Sequence, residues 1–257
     1  MSVERGEGGQ TLGASIAGQT VVIVGGSSGI GLATARAAAG RGARVVLIAR
    51  SPGKLEAAAR TVAGDVAVAA ADMLDPRALA GAIGGAGAID HLVLTAVADE
   101  VQRIGPIAGL TDDQMERSID KLRGFFFAAR AAAPAMRERG SIAIISGASG
   151  LKPTRGMSVL GAINAAVTSF ARTLALELAP VRVNAITPGV VDTPLHSDAT
   201  RAELRRWAES ADLPARHFGR PEDIAQAILF LMTNPYVTGH DLVIDGGLLI
   251  RSPEVKP

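Results

Sequence analysis

The chain has 257 residues, of which 48% are hydrophobic and only 3% aromatic, and its formal net charge is +1 at pH 7. This length suits one α/β domain with a sizeable core, while 26 basic against 25 acidic residues give no basic field for nucleic acid or anionic lipid. The absence of cysteine excludes disulfides, thiolate nucleophiles and cysteine metal sites. We therefore expect a small-molecule substrate and no nucleic-acid or membrane partner.

The N-terminal segment differs in composition from the rest of the chain. Residues 1–17 are rich in glycine and charge without periodicity, which predicts a flexible arm followed by a single domain over residues 18–257. The first eight residues lack the apolar core of a secretory signal, and no apolar run reaches about 18 residues without polar interruption. These features predict a cytoplasmic protein.

Apolar runs alternate with stretches of 3.6-residue periodicity along the remainder of the chain. The predicted strands are Thr20–Val24, Arg44–Ala49, Val66–Ala70, His91–Thr95, Ser141–Ser146, Arg182–Thr187 and Asp241–Ile244. The clearest predicted helices are Leu32–Arg41, Gln114–Met136, Val159–Glu177 and Glu222–Met232. Strands that alternate with helices predict right-handed crossovers and an α/β fold, with a parallel sheet covered by helices on both faces.

A glycine-rich turn follows the first predicted strand. Gly25 permits a sharp exit from the strand, Gly29 lets backbone amides approach a pyrophosphate, and Gly31 allows the next helix to pack closely. The helix N-terminus adds partial positive charge and free N–H groups. Because a second strand arrives about twenty residues later, the turn predicts a dinucleotide site rather than a plain strand–helix connection. The candidate contacts are Gly25, Ser27, Ser28, Gly29, Ile30 and Gly31.

The spacing Gly-x-x-x-Gly-x-Gly of this turn, with the segments 181–185 and 187–193, resembles the classical short-chain dehydrogenase/reductase family almost end to end. The resemblance implies a Rossmann-type doubly wound parallel sheet of about seven strands. It also implies a nicotinamide cofactor and hydride transfer to or from a small substrate. One departure is Val24, where the family usually carries threonine.

The end of the second strand bears on which nicotinamide cofactor is used. Relatives that prefer NAD place an aspartate there, whereas this chain has Ala49. Arg50 follows and offers a charge-assisted grip on a 2′-phosphate, with Ser51 beside it. The alternative is a solvent-facing arginine on a loop. We predict a preference for NADP(H).

The resemblance implies further cofactor contacts at three places. Asp72 corresponds to the aspartate that receives the adenine amine, with Met73 beside the ring. Thr95 and Ala96 stand in the family's Asn-Asn-Ala-Gly stretch after the fourth strand. A segment after the sixth strand matches the one that holds the carboxamide and a phosphate: Pro188, Gly189, Val190, Val191 and Thr193.

The family's acid–base residues are replaced in this chain. In relatives, a lysine and the cofactor ribose lower the pKa of a tyrosine, which exchanges a proton with the substrate oxygen. A serine holds that oxygen, and an asparagine on the preceding helix anchors a water. In the corresponding positions this chain has Asn164 for the lysine, Leu160 for the tyrosine, Gly147 for the serine and Lys121 for the asparagine.

Lys121 and Asn164 resemble an exchange of the family's asparagine and lysine between two helices. We expect Lys121 to occupy the active-site niche, because a desolvated lysine can act as a proton donor or base. The alternative is a lysine that reaches solvent from a helix flank. Ser149 shares a strand face with position 147 if the strand persists that far, and could then hold a substrate oxygen. Its alternative role is to cap the turn before Gly150.

The segment between His196 and His217 corresponds to the substrate lid of relatives. Neither histidine has ligand spacing, so no metal site is predicted. Arg201, Arg205 and Arg206 in this segment could attract an anionic substrate or lie on the wet face of a helix. The sequence leaves both open.

Two functions fit these residues. The first is an NADP(H)-dependent oxidoreductase that reduces carbonyls or oxidises alcohols with a non-standard proton source. The alternative is a catalytically inactive nucleotide-binding module or a structural partner subunit. The helices at 114–136 and 159–177 form a dimer interface in relatives, so the resemblance implies a homodimer or homotetramer.

Overall fold

A computed structural model describes residues 15–97, 104–209 and 213–251. Most of the predicted N-terminal arm, residues 1–14, lies outside the described residues. Residues 15–17 lead directly into the first strand, and the buried Ile16 packs with residues of that strand.

Seven parallel strands form one sheet in the order β3-β2-β1-β4-β5-β6-β7. They are β1 Thr20–Val24, β2 Arg44–Ala49, β3 Val66–Ala70, β4 Ile89–Leu94, β5 Met136–Ile145, β6 Arg182–Pro188 and β7 Asp241–Ile244. This sheet confirms the predicted doubly wound α/β fold. The strand order reverses between β1 and β4, and in open parallel sheets ligands bind outside the carboxyl ends of the strands at that point.

Helices connect the strands and cover both faces of the sheet. They are α1 Gly29–Ala39, α2 Pro52–Ala59, α3 Pro76–Gly84, α4 Asp112–Ser118, α5 Asp120–Ala132, α6 Ser158–Glu177, α7 Asp198–Glu209 and α8 Pro221–Thr233. Alternation along β1 separates two cores, because Val22 and Val24 pack on one face while Val21 and Ile23 pack on the other. The strands are therefore apolar throughout, as expected of a parallel sheet buried on both sides.

The predicted helix Gln114–Met136 was wrong as a single element. The structure divides it into α4 and α5, with a turn at Ile119, and ends α5 at Ala132. Pro134 explains that end, since proline lacks an N–H donor and disfavours helical geometry in the residue before it. A short 3₁₀ turn, Ala133–Ala135, follows, and Met136 already begins β5.

Helix α6 is the one helix within the described ranges that is long and apolar enough to cross a membrane. Its buried residues Ile163, Val167, Ala171 and Leu174 recur at helical spacing, and all but Ile163 belong to the core cluster on one face of the sheet. Core helices of this kind pass the same test of length and hydropathy, so the finding is weak evidence for a span.

Candidate active site

A cavity of about 1130 Å³ lies across the carboxyl ends of the strands. Its walls include the glycine turn after β1, the ends of β2 and β4, the turn after β5 and the segment after β6. All of the proposed cofactor and catalytic residues line it, from Gly25 to Thr193. The fold therefore brings the predicted site residues into one cleft.

The glycine turn is packed too tightly for side chains. Gly25 has φ +97°, and a Cβ on it would lie 2.5 Å from the Ala96 backbone nitrogen. A Cβ on Gly31 would lie 2.2 Å from the Gly25 carbonyl oxygen. Ser28 precedes α1 in an extended conformation, so the first N–H groups of that helix face the cleft beside Ile30. This arrangement matches a phosphate cradle.

Thr95 locks the end of β4 beneath this turn. Its hydroxyl donates to the carbonyl oxygens of Val24 and Gly25 at 3.2 and 3.3 Å. The same oxygen would lie 2.7 Å from a Cβ on either Gly25 or Gly31. Sequence reasoning assigned Thr95 to the cofactor from its alignment alone, whereas the structure shows a second task, which is to hold the two strand ends together.

The end of β2 presents positive groups to the cleft. Ala49, Arg50, Ser51 and Lys54 all line it, and Arg50 is exposed. Ser51 caps α2, its side chain accepting from the Lys54 backbone N–H at 3.5 Å. Two cationic side chains and a helix N-terminus thus surround a position without a carboxylate among these residues. Lys54 was missed in the sequence, although it falls one helical turn beyond Arg50.

Asp72 and Met73 line the cleft beyond the end of β3. The Asp72 carboxylate accepts from the Leu74 backbone N–H at 2.9 Å, which fixes its orientation in the turn. Met73 is buried beneath α5, and a Cβ on Gly124 would lie 2.7 Å from its sulfur atom. Gly124 therefore provides the space in which Met73 forms this part of the wall.

The segment after β6 closes the opposite side of the cleft. The Gly189 N–H donates to the Ile244 carbonyl at 3.0 Å, and a Cβ on Gly189 would lie 2.7 Å from the Asp245 Cα. Pro188, Val190, Val191 and Thr193 line the cavity with it. Contact with the strand end at β7 thus fixes the backbone of this wall.

Lys121 lies at the floor of the cleft and is only 1% exposed. Its Nζ donates to Asn164 Oδ1 at 2.8 Å and to the Ser146 carbonyl oxygen at 3.2 Å. The ammonium of α5 and the amide of α6 therefore face each other across the helix pair. Lys121 does not reach out to solvent from the helix flank.

Asn164 connects Lys121 to Ser149. Because an ammonium can only donate, the amide oxygen must face Lys121 and the amide nitrogen must face Ser149. Asn164 Nδ2 donates to Ser149 Oγ at 2.9 Å. The Ser149 hydroxyl hydrogen is then directed elsewhere, and within the described residues it has no protein acceptor.

The route by which Ser149 reaches this position differs from the predicted one. We expected strand alternation to place it on the face of position 147, but β5 ends at Ile145 and Ser149 lies in the 3₁₀ turn Ala148–Gly150. The turn packs directly on α6, since a Cβ on Gly150 would lie 2.8 Å from the Ala165 backbone nitrogen. Tight turn packing, rather than strand period, brings the hydroxyl to Asn164.

Gly147 is required by the side chain of Asn164. Its φ of 178° is an extended conformation that any residue adopts, so backbone geometry does not select glycine. A Cβ at this position would instead lie 2.7 Å from Asn164 Nδ2. The replacement of the family's serine by Gly147 and of its lysine by Asn164 are therefore one coupled change.

The tyrosine position is apolar. Leu160 is half-buried and lines the cleft near the start of α6. The chain's one tyrosine, Tyr236, follows α8 and is 97% exposed. It cannot supply the phenol that relatives use.

The lid helix α7 is fastened by an ion-pair cluster that sequence reasoning did not identify. Asp192 pairs with Arg201 at 2.5 Å and also with Arg205. Burial works against the charged carboxylate, but hydrogen bonds from the two arginines hold the pKa of Asp192 below its usual value. Arg201 and Arg205 thus anchor the lid to the segment after β6. The signal was available in the sequence, because Asp192 precedes α7 by six residues.

His196 and His217 differ in their surroundings. His196 lines the cleft, its Nδ1 is buried without a hydrogen-bond partner in the described part of the chain, and burial lowers its pKa. The Nδ1 of His217 lies 3.3 Å from the Phe218 carbonyl oxygen. Among residues 15–97, 104–209 and 213–251, no group of three or more His, Asp or Glu side chains could hold a metal ion.

Comparison with known proteins agrees with this architecture. Residues 24–249 match the family described as enoyl-(acyl carrier protein) reductase. The chain is 34% identical over 234 residues to the 3-oxoacyl-[acyl-carrier-protein] reductase of Bos taurus, covering 88% of this chain and 96% of that one. A Rossmann-type α/β protein with this cleft and these relatives is defined at the level of the family: the chain belongs to the short-chain dehydrogenase/reductases, and it is an oxidoreductase.

Two solved structures of the family are similar throughout. One is an NADPH-bound short-chain oxidoreductase of Pseudomonas aeruginosa PAO1 described as containing an atypical catalytic centre, with a TM-score of 0.81 and 28% identity over 90% of this chain and 96% of that one. The other is the L-sorbose reductase of Gluconobacter frateurii in complex with NADPH and L-sorbose, with a TM-score of 0.82 and 28% identity over 91% and 98% of the two chains.

Proposed function

We propose that the protein is an NADPH-dependent reductase that converts a carbonyl of a small molecule to an alcohol, or catalyses the reverse oxidation. In this proposal Lys121, Asn164 and Ser149 replace the family's acid–base residues. The observation that carries it is the buried Lys121 ammonium at the floor of the cleft, hydrogen-bonded to the amide that also holds Ser149.

The cleft fits a nicotinamide dinucleotide. The turn after β1 leaves no room for a Cβ on Gly25 or Gly31, and the N-terminus of α1 opens into the same cavity, as a pyrophosphate cradle requires. Asp72 and the segment Pro188–Val191 would contact the two ends of the cofactor. The two similar solved structures both contain NADPH.

The preference for NADPH over NADH rests on the end of β2. Arg50 and Lys54 line the cleft there, and Ala49 leaves the adjacent position without the carboxylate that would repel a 2′-phosphate. A guanidinium offers a bidentate, charge-assisted grip on phosphate oxygens. The N-terminus of α2 adds positive potential at the same place.

The chemistry assigned to the protein's own residues is a pair of donors to the substrate oxygen. Ser149 Oγ and Lys121 Nζ contact the same Asn164 amide at 2.9 and 2.8 Å, so a carbonyl oxygen beside that amide lies within reach of both. The Ser149 hydroxyl donates to this oxygen and orients it. The Lys121 ammonium stabilises the developing negative charge and donates the proton. The bound cofactor supplies the hydride.

NADPH oxidation with a panel of ketones, aldehydes and quinones tests this proposal. For any substrate found, Lys121→Met should lower kcat about 100-fold or more and Ser149→Ala about tenfold, because each removes a donor to the transition-state oxygen. Ser158→Ala is the matched control, since Ser158 is exposed at the start of α6. NADPH affinity and the melting temperature establish that each variant is folded. Full turnover by a folded Lys121→Met variant would contradict the proposal.

A further inference from the structure

The part of the cleft that receives the substrate is lined by cations without carboxylates. We call Lys152, Arg155 and Arg251 the cationic rim; all three line the cavity. Among the described residues that line it, the one carboxylate is Asp72, which lies beyond β3 on the cofactor side. The rim is formed by the loop between β5 and α6 together with the end of the described chain.

The positive charges of the rim are not neutralised by carboxylates in the described part of the chain. Lys152 Nζ donates to the Leu248 carbonyl oxygen at 2.7 Å, which ties the loop to the C-terminal segment. The Arg251 guanidinium lies 5.5 Å from the centroid of the Trp207 ring. Arg155 is exposed. None of the three takes part in an ion pair within the described residues, in contrast to Arg201 and Arg205, which are committed to Asp192.

The wall between the rim and Lys121 is apolar. Five side chains make up most of it: Met157, Leu160, Leu204, Trp207 and Leu248. A substrate that fills this space has a hydrophobic body with one end at Lys121 and the other at the cationic rim. Leu160 contributes to this wall because it replaces the tyrosine of relatives.

We propose that the substrate is an anionic carbonyl compound, whose carboxylate pairs with Arg155 and Arg251 while its carbonyl lies beside Ser149 and Lys121. This inference rests on the proposed function and specifies its substrate class. A guanidinium matches the planar, bidentate geometry of a carboxylate. Because the rim is partly exposed, each arginine should contribute about fivefold to tenfold in affinity, more at low ionic strength.

Matched probes separate charge from shape. The NADPH-saturated protein is titrated with 4-acetylbenzoate and with phenylglyoxylate, and each acid is compared with its primary amide, which has nearly the same size and no charge. Trp207 is the chain's one tryptophan and lies in this wall, so its fluorescence reports binding directly. The variants are Arg155→Gln, Arg251→Gln and their combination. Arg60→Gln, an exposed arginine at the end of α2, is the matched control.

The wild type and the control should bind at least one acid about tenfold or more tightly than its amide, and the double variant should bind the two alike. NADPH affinity should stay the same in all of them. Equal affinities for acid and amide in the wild type, retention of the preference by the double variant, or no binding of any probe by a protein that binds NADPH would overturn this inference alone. Failure to bind NADPH would instead overturn the proposed function.

Discussion

Gly147 shows how one small residue can be fixed by the side chain opposite it. Asn164 is held at both ends, by Lys121 and by Ser149, so its amide cannot easily turn away from a new methyl group. The 2.7 Å approach of a Cβ to Asn164 Nδ2 is a steric conflict with a side chain that has no alternative hydrogen-bond arrangement of equal quality. Restoring the family's serine at this position is therefore disfavoured unless Asn164 changes as well.

Gly147→Ala should destabilise the protein by about 1–3 kcal/mol, the usual cost of overpacking a buried site. Gly81→Ala is the matched control, because Gly81 lies in α3 and a Cβ on it would meet no atom within 4 Å. Alanine there should stabilise the protein by roughly 0.5–1 kcal/mol. Urea unfolding measures both. Equal effects of the two substitutions would show that Asn164 does not constrain position 147.

His91 carries the second prediction at this scale, which concerns pH. It is 3% exposed, with its ring nitrogens 2.8 Å from Ser141 Oγ and 2.7 Å from Gln19 Oε1. Burial lowers its pKa to about 4, against 6.5 when unfolded. The unfolded chain therefore binds this proton more readily, and the stability that neutral His91 provides is present above pH 6.5 and is lost as the pH falls toward 4.

The difference in pKa corresponds to roughly 3 kcal/mol of stability lost across that window. The free energy of unfolding, measured from pH 8 to pH 4, should fall more steeply for the wild type than for His91→Gln. His240→Gln, at an exposed histidine, should keep the wild-type slope. Parallel curves for the wild type and His91→Gln would contradict the assignment.

At the scale of elements, the contact between α5 and α6 defines the site. Lys121 and Asn164 belong to different helices, and their 2.8 Å hydrogen bond is held by Ser146, whose hydroxyl donates to the Asn164 carbonyl oxygen at 2.8 Å. Thr168, one turn further along α6, donates to the Ser146 hydroxyl at 3.2 Å. The end of β5 thus fixes the register of α6 against α5.

A double-mutant cycle tests this coupling. Asn164→Lys alone places two ammonium groups together in a buried site and should cost about 3 kcal/mol or more. Adding Lys121→Asn recreates the family's placement of amide and amine and should recover at least about 1 kcal/mol of that loss. Chemical denaturation of the four proteins gives the coupling energy. Strictly additive effects would show that the two residues do not interact energetically.

The fold could be predicted further from the sequence than the site could. Period-two and period-3.6 patterns located the buried strands to within a few residues, because each strand is apolar on both faces. The same periodicity could not show the end of α5 before Pro134, since the apolar spacing continues beyond it. Nor could it show the position of Ser149, which depends on the packing of the Ala148–Gly150 turn against α6. Contacts between elements, such as Asp192 with Arg201, follow only from the assembled lid.

At the scale of the whole molecule, α5 and α6 leave apolar side chains uncovered. Phe126 is 44% exposed and Leu176 is 82% exposed. We expect these helices to pair with those of a second copy, giving the homodimer or homotetramer that the family resemblance implies. Multi-angle light scattering at micromolar concentration should give a mass of about two or four chains, and Leu176→Glu should shift it downward. A monomeric wild type would contradict this expectation.

The central claim is that the cleft binds NADPH in preference to NADH and uses it beside Lys121. Calorimetric titration of the purified protein with each cofactor tests it most directly. The account predicts at least about tenfold tighter binding of NADPH, a preference that Arg50→Ala removes and Arg60→Ala retains, since a charge-assisted phosphate contact contributes about 1.5–3 kcal/mol. Equal affinities for the two cofactors, or an unchanged ratio in Arg50→Ala, would contradict the assigned specificity. Binding of neither cofactor would contradict the function itself.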